Sequence, residues 1–402
     1  MICSAHMSSF VDALNSLPLD ALGTIAHCTD AATPHKAQAQ SHLTLADFAT
    51  LISPGAAGLL EPMCRRSQAM TRQRFGNVIR MFAPIYISNN CVNNCQYCGF
   101  ARRNDIARVT LNVDEVAREA DAVVAMGFRS LLLVASEHPH LVTPAYMADC
   151  IRAVIPKAPD VCIEIAPWSV EDYRPVVEAG AEGVIVFQET YDRTRYAELH
   201  PSGPKRDMNW RLGTPERAYA AGFRKLGLGA LMGLHDWRRE AICLAAHASW
   251  LLKYCWKAQI SISLPRLRPA ASGFAATNPI SDRELAQLIA AYRIMFPDVN
   301  LVLSTREPAK LRDGLIPLGI TQISAGSHTE PGGYTGAGHE KIEVAHPITV
   351  STSQSDATDA TAQFNIADDR SPAEVATCLR RMKLEPVWKD WDTSFSAVPF
   401  RY

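Results

Sequence analysis

The 402-residue chain lacks any apolar run approaching the roughly 20 residues that a membrane span requires. Charge is scarce and balanced: Asp, Glu, Lys and Arg make up 20% of residues, and the net charge is −1. That balance gives no general attraction to nucleic acid or to an anionic membrane, and neither is expected as a partner. Residues 1–14 lack a basic stretch followed by a long apolar core, so no secretory signal is read there and the cytoplasm is the expected location. A disulfide framework is not expected either. The eleven cysteines are odd in number and scattered apart from one group, the pattern of reduced thiols plus a metal site. The hydrophobic share, 48%, is that of an ordinary globular protein, and the length suffices for one large domain or two ordinary ones.

The exceptional group is Cys91-Val92-Asn93-Asn94-Cys95-Gln96-Tyr97-Cys98-Gly99-Phe100, which follows an apolar run at 81–87. Thiolates packed this densely are soft ligands for zinc, copper(I) or an iron–sulfur cluster. What is missing is a fourth ligand, since no Cys or His follows closely. A structural zinc site uses four protein ligands, and so does a ferredoxin-type [4Fe–4S] cluster. Two readings stand: a zinc knuckle or unrelated cysteines, and a [4Fe–4S] cluster with one iron open to another ligand.

From residue 78 onward a short apolar, β-branched run gives way to a charged amphipathic stretch and a Gly-rich turn, again and again. The runs lie at 81–87, 130–135, 161–166, 183–187, 225–230, 259–264, 300–304 and 321–325. Helices are predicted between them at 113–126, 169–179, 215–221 and 282–295; the first opens on Asp114 and Glu115 and stops at Gly127. Strand then helix, repeated in this way, argues for a parallel β/α architecture. Eight units over about 250 residues fit a closed (β/α)8 TIM-type barrel, with an open doubly wound sheet as the alternative. The organisation expected is an N-terminal helical extension at 1–77, the barrel at 78–338, and a flexible loop plus a closing helix and tail at 339–402. Within the extension, helices are read at 43–52, capped by Ser41 or Thr44, and at 59–77, with Leu60, Met63, Ala69 and Phe75 inward and Arg65, Arg66, Arg72 and Arg74 as a solvated face. The small, polar stretch 350–361 has too little apolar surface to pack, and the closing helix is read at 368–382 with Ser371 near its cap.

A barrel of this kind gathers its functional residues where strands end. The cysteine loop follows the first run, Ser136 and Glu137 the second, and Glu164 lies late in the third; Gln188 and Glu189 follow the fourth and Arg306 the seventh. Glu164 is a charge inside an apolar run and needs a partner, a ligand or a structural Arg. Arg306 follows the apolar residues 301–303, and its planar fork suits a carboxylate; the alternative is a salt bridge with Glu307 or Asp313. Ser304 and Ser324 add hydroxyls. Taken by itself, Tyr86 is read as core packing with a satisfied hydroxyl. The glycines Gly227, Gly229 and Gly233 fall one residue off a dinucleotide fingerprint and lack its acidic partner, so close backbone approach to a ligand is their better use.

The Cys91-x3-Cys95-x2-Cys98 loop, with Tyr97 before its last cysteine, resembles the signature of the radical S-adenosylmethionine (SAM) family. Pro84-Ile85-Tyr86-Ile87-Ser88-Asn89, Gln188-Glu189-Thr190-Tyr191, Leu303-Ser304-Thr305-Arg306-Glu307 and Pro331-Gly332-Gly333-Tyr334 resemble its aromatic amino acid lyase branch, most of all the tyrosine lyases of thiamine thiazole biosynthesis, over residues 59–392. The resemblance implies a [4Fe–4S] cluster on Cys91, Cys95 and Cys98, with SAM chelating the open iron and Tyr97 against its adenine. It places Ser136 and Glu137 at the SAM amino group, although this chain has Ala135-Ser136-Glu137 where the family has Gly-Gly-Glu. Glu164, Gln188 and Glu189 are implied as further SAM contacts. Arg211 is implied at the SAM carboxylate, with a surface role as the alternative. Arg306 is implied on the amino acid's carboxylate, with Tyr86 near its polar end. The implied reaction takes a hydrogen from the amino group of L-tyrosine and breaks its Cα–Cβ bond, giving dehydroglycine and 4-cresol. A tryptophan lyase and the hydrogenase-maturation tyrosine lyase are alternatives; the latter carries a further C-terminal cysteine cluster, whereas Cys378 stands alone after Cys255. A thiazole synthase and a flavodoxin- or ferredoxin-type electron donor are the implied partners.

Overall fold

The computed structural model describes residues 9–338 and 362–388. Nine parallel strands run through it: β1 (Val78–Ser88), β2 (Ser130–Ala135), β3 (Asp160–Glu164), β4 (Gly183–Glu189), β5 (Lys225–Ala230), β6 (Gln259–Ser263), β7 (Asn300–Leu303), β8 (Gln322–Ser324) and β9 (Glu385–Val387). Each of the first seven pairs with the next, and β1 pairs with both β2 and β8. The sheet therefore closes into the expected (β/α)8 barrel, and the open doubly wound sheet is set aside. β9 adds to the start of β1, Val78 opposite Glu385, outside the ring of eight.

Strands in this position are buried on both faces, inward by the barrel interior and outward by helices. β2 is buried along its whole length. Two strands break register at their carboxyl ends: β1 between Tyr86 and Ser88, and β4 between Phe187 and Glu189. Glu189 takes a positive φ of 73° there. Bulges of this kind re-aim side chains at a barrel rim, and these two lie where the cysteine loop and the Glu189 carboxylate begin.

The intervening helices start where local chemistry satisfies their free N–H groups. Asn112 and Glu115, Ser281 and Glu284, and Ser371 and Glu374 each form a reciprocal capping box. In the N-terminal extension, Thr44 rather than Ser41 caps the helix Leu45–Leu51. Helix Leu60–Phe75 buries Met63, Ser67 and Thr71 against the barrel; Ala69 is exposed, so the buried stripe is turned from the one expected. Arg66 does not belong to the solvated face, because it donates to the carbonyls of Gln38 and Gln40. Three further short helices, Phe10–Ser16, Leu19–Ala26 and Thr33–Ala39, precede these. Phe10 stacks on His247 of the barrel helix Trp237–Tyr254 with ring centroids 3.8 Å apart.

The closing helix runs Pro372–Arg381. It begins later than expected because the Asp368 carboxylate is engaged by Arg312 and Arg370 instead of capping a helix. The polar stretch 350–361 lies outside the described residues. Among the described residues no helix is long and apolar enough to cross a membrane, and all ten cysteines are free thiols.

Candidate active site

The cysteine loop leaves β1 at its bulge and has no regular structure, so its backbone polar groups need partners elsewhere. Val92 N donates to Glu137 O (2.9 Å), Gln96 N to Leu199 O (3.0 Å) and Arg102 N to Asn93 O (2.8 Å). The Asn104 amide donates to the carbonyls of Cys98 and Gly99, and the Arg108 guanidinium to those of Asn89, Phe100, Ala101 and Asn104. The loop is thus held in shape by the protein alone. Cys95 is buried and Cys91 and Cys98 are half-buried. Burial pushes the Cys95 thiol up to about 12 and the Cys98 thiol to about 11, each raised further by its neighbouring cysteines.

A bound metal reverses that tendency, because a coordinating thiol is deprotonated outright. The donor set fits a [4Fe–4S] cluster held by three cysteines. Two side-chain amides stand ready to donate to the ligand sulfurs: Asn93 Nδ2 lies 3.8 Å from Cys91 Sγ, and Gln363 Nε2 lies 3.9 Å from Cys98 Sγ. Among the described residues no three His, Cys, Asp or Glu side chains converge as the ligands of a lone ion would. The thiolates of a cluster bind separate irons and need no such convergence.

Beside the loop lies a polar group of residues. Asn93 is buried; its amide donates to Glu137 Oε2 (2.7 Å), and its carbonyl oxygen accepts from Lys205 N (3.0 Å). The Ser136 hydroxyl donates to Asn90 O at 2.5 Å, so it serves the loop's backbone. Tyr97 is buried, and its hydroxyl meets His200 Nε2 at 2.9 Å. His200 Nδ1 faces Tyr196 O at 2.8 Å and carries the ring proton, leaving Nε2 to accept from Tyr97. Burial and the Lys205 charge hold His200 down at about 3, hence neutral. Glu189 pairs with Lys205 at 2.8 Å and lies 4.0 Å from Arg211, which also donates from Nε to Phe187 O. Burial opposes ionisation of Glu189, but the Lys205 and Arg211 charges overcome it and hold the carboxyl below its ordinary range. Arg211 is therefore buried and engaged, against the surface alternative. Gln188 does not join this group. Strand alternation puts it on the opposite face from Phe187, where its amide reaches only Thr190 O at 3.4 Å.

The second group lines a cavity inside the barrel mouth that contains Tyr86, Glu164, Ser304, Arg306 and Ser324. Leu132, Val134, Ile185 and Phe187 give it apolar walls. The glycines of β5 serve this wall: a Cβ on Gly227 or Gly229 would run into Ile185 or Phe187. Burial, with the Glu189 charge, raises Glu164 to about 7 against the pull of Arg306 and Arg211. Arg306 makes no hydrogen bond or ion pair among the described residues. The two carboxylates considered as its partners are taken: Glu307 pairs with Arg266, and Asp313 with Arg370. Its guanidinium carbon lies 3.4 Å from the centre of the Phe364 ring. Tyr86 donates to Gln363 Oε1 at 2.8 Å, and its ring meets Phe100 edge-on at 6.0 Å. Ser324 Oγ accepts from Thr305 N at 3.3 Å.

Five residues of the site were not singled out from the sequence: Asn93, His200, Lys205, Gln363 and Phe364. Asn93 had a signal, since it lies between two of the cysteines. The other four come from the segments after β4 and beyond β8, and only the folded chain brings them to the rim.

A closed (β/α)8 barrel whose first strand runs into a three-cysteine loop, with a cation-bearing cavity beneath it, defines a radical SAM enzyme. Residues 85–245 match the Radical SAM superfamily, and residues 263–385 match the Biotin and Thiamin Synthesis associated domain. The chain is 40% identical over 388 residues to 2-iminoacetate synthase of Escherichia coli (strain K12), covering 96% of this chain and 98% of that protein. It is 26% identical over 179 residues to the [FeFe] hydrogenase maturase subunit HydE of Thermotoga maritima, 44% of this chain and 50% of that one. Among solved structures, the FeFe-hydrogenase maturase HydG from Carboxydothermus hydrogenoformans superposes with a TM-score of 0.76 at 32% identity, covering 94% of this chain and 82% of that one. The chain belongs to the 2-iminoacetate synthase family.

Proposed function

We propose that this protein is a radical SAM carbon–carbon lyase that converts L-tyrosine to 2-iminoacetate (dehydroglycine) and 4-cresol, with SAM split to methionine and 5′-deoxyadenosine, in supply of the thiazole of thiamine. The observation that carries the substrate class is Arg306: a guanidinium aimed into an apolar-walled cavity, engaged by no carboxylate of its own among the described residues. A cation so placed is costly unless a ligand anion completes it. An amino acid carboxylate meets that need, and the walls of Leu132, Val134, Ile185 and Phe187 suit an aromatic ring. When bound, the reduced cluster and SAM supply a hydrogen-abstracting carbon radical.

The chain's own residues do the rest. Cys91, Cys95 and Cys98 hold the cluster, and Tyr97, Glu137, Glu164, Glu189 and Arg211 surround the SAM position. Arg306 fixes the substrate carboxylate. The Tyr86 proton is committed to Gln363, so its oxygen accepts from the substrate amino group. Phe364 and the apolar walls keep water from the reacting carbon. A cytoplasmic location, a thiazole synthase that receives the unstable 2-iminoacetate, and a flavodoxin- or ferredoxin-type electron donor complete the proposal. The free thiols accord with a reducing compartment.

The test is anaerobic reconstitution followed by incubation with SAM, dithionite and either tyrosine or tryptophan. 4-Cresol from tyrosine supports the reading. Deoxyadenosine without 4-cresol would overturn the substrate, and stoichiometric zinc in place of iron would overturn the class.

A further inference from the structure

Residues 362–368 cross the mouth of the barrel and are tied to several of its loops. Gln363 N donates to Thr329 O (2.9 Å), Asn365 N to Pro269 O (3.0 Å) and Ala367 N to Thr305 O (2.9 Å). The Gln363 carbonyl accepts from the N–H of Gly99, the residue after Cys98, at 3.2 Å. Only glycine suits that place, because a Cβ on residue 99 would stand 2.3 Å from this carbonyl. The Gln363 side chain is therefore delivered to one spot by backbone bonds on both sides.

At that spot the amide reaches two functional groups, Tyr86 Oη at 2.8 Å and Cys98 Sγ at 3.9 Å. Its orientation follows from what each partner offers. A protonated phenol gives a proton and seeks the amide oxygen. A thiolate sulfur has only lone pairs and takes the N–H. The reverse orientation would set the amide oxygen against the sulfur.

We infer that Gln363 is a positioning residue whose amide N–H hydrogen-bonds the Cys98 sulfur and raises the reduction potential of the cluster, while its oxygen turns the Tyr86 hydroxyl so that a lone pair faces the substrate. This rests on the reading of Cys91, Cys95 and Cys98 as ligands of a [4Fe–4S] cluster. Reduction adds a negative charge that the ligand sulfurs share, and a donor aimed at one of them stabilises the reduced form more than the oxidised. The same planar amide touches the polar end of the substrate site. Docking of segment 362–368, cluster potential and substrate orientation thereby depend on one side chain.

The experiment is an EPR-monitored redox titration of the anaerobically reconstituted full chain, wild type against Gln363→Leu, Gln363→Glu and Tyr86→Phe, with iron content measured for each. The expected result is a more negative midpoint for Gln363→Leu and a more negative one still for Gln363→Glu, which puts a carboxylate where the donor stood. Tyr86→Phe keeps the N–H donor and should titrate with the wild type while its KM for tyrosine rises. Gln363 variants that hold a full cluster yet titrate at the wild-type midpoint overturn the inference. Should the Leu variant lose its cluster, the Glu variant, which has the same length and can still accept from Tyr86, decides alone. A wild-type chain that takes up no iron overturns the cluster reading itself, a separate outcome.

Discussion

The guanidinium carbon of Arg306 lies 3.4 Å from the centre of the Phe364 ring, over the ring. One face of the cation is thus covered by an aromatic ring, and its N–H edge remains for a ligand. Arg306→Ala should leave iron content intact and lower kcat/KM for tyrosine by about a hundredfold or more, since hydrogen bonds to charged groups are worth roughly 1.5–3 kcal/mol each. Arg306→Lys should recover only part of this, because an ammonium lacks the fork. Unchanged turnover in Arg306→Ala would rule out the carboxylate role.

Phe364→Leu removes the ring but keeps an apolar side chain. The cation–π contact, of about 1–2 kcal/mol, holds Arg306 in place for its ligand; its loss should weaken the substrate complex and the transition state equally, so the expected effect is a several-fold rise in KM with little change in kcat. Steady-state 4-cresol formation separates the two constants.

Each of Cys91→Ala, Cys95→Ala and Cys98→Ala should lose iron and all 4-cresol formation. Far-ultraviolet circular dichroism should be unchanged, because the loop is held by Glu137, Leu199, Asn104 and Arg108 through bonds that need no metal. Asn93→Ala tests the same loop more finely. It strips a buried amide from Glu137 and from the Lys205 backbone, and iron occupancy per chain should fall.

Glu164 gives a pH dependence. Its carboxyl is raised from the ordinary 4.5 to about 7, so the folded chain binds more protons than the unfolded one between these values. Stability then falls as pH rises through that window, by roughly 2–3 kcal/mol at the top of it. Glu164→Gln should flatten the slope of the urea midpoint between about pH 4.5 and 7; a slope as steep as wild type would assign the dependence to another group.

Arg312 and Asp368 form an ion pair that is completely buried, and Arg312 also donates to Ser324 O. Arg312→Met leaves Asp368 with Arg370 alone. Removing one member of a buried pair costs roughly 3–5 kcal/mol, and the remaining Arg370 contact puts this case at the low end. Urea unfolding measures it.

The barrel was legible because each strand–helix unit repeats one pattern, and the cysteine loop because its three thiols are contiguous. Arg306 could be found because a cation after an apolar run is conspicuous. Gln188 misled, since a strand-end position says nothing about which face a side chain takes, and a bulge follows directly between Phe187 and Glu189. The helices Phe10–Ser16, Leu19–Ala26 and Thr33–Ala39 span only two turns each, too few for an apolar period to stand out. Gln363 lies 277 residues from Tyr86. No local pattern announces a partner that distant, and the polar stretch before it carries no periodicity to follow.

The pairing of Val78 with Glu385 sets an order of events during synthesis. The ribosome delivers β1 long before its outer neighbour β9, and Gly99 likewise waits for Gln363. Until the segment with Glu385 has emerged, the first residues of β1 lack that partner, and until Gln363 has emerged the Gly99 N–H lacks its acceptor. Contacts this far apart in sequence form slowly, so β9 and the segment that covers the cysteine loop are expected to dock late in folding.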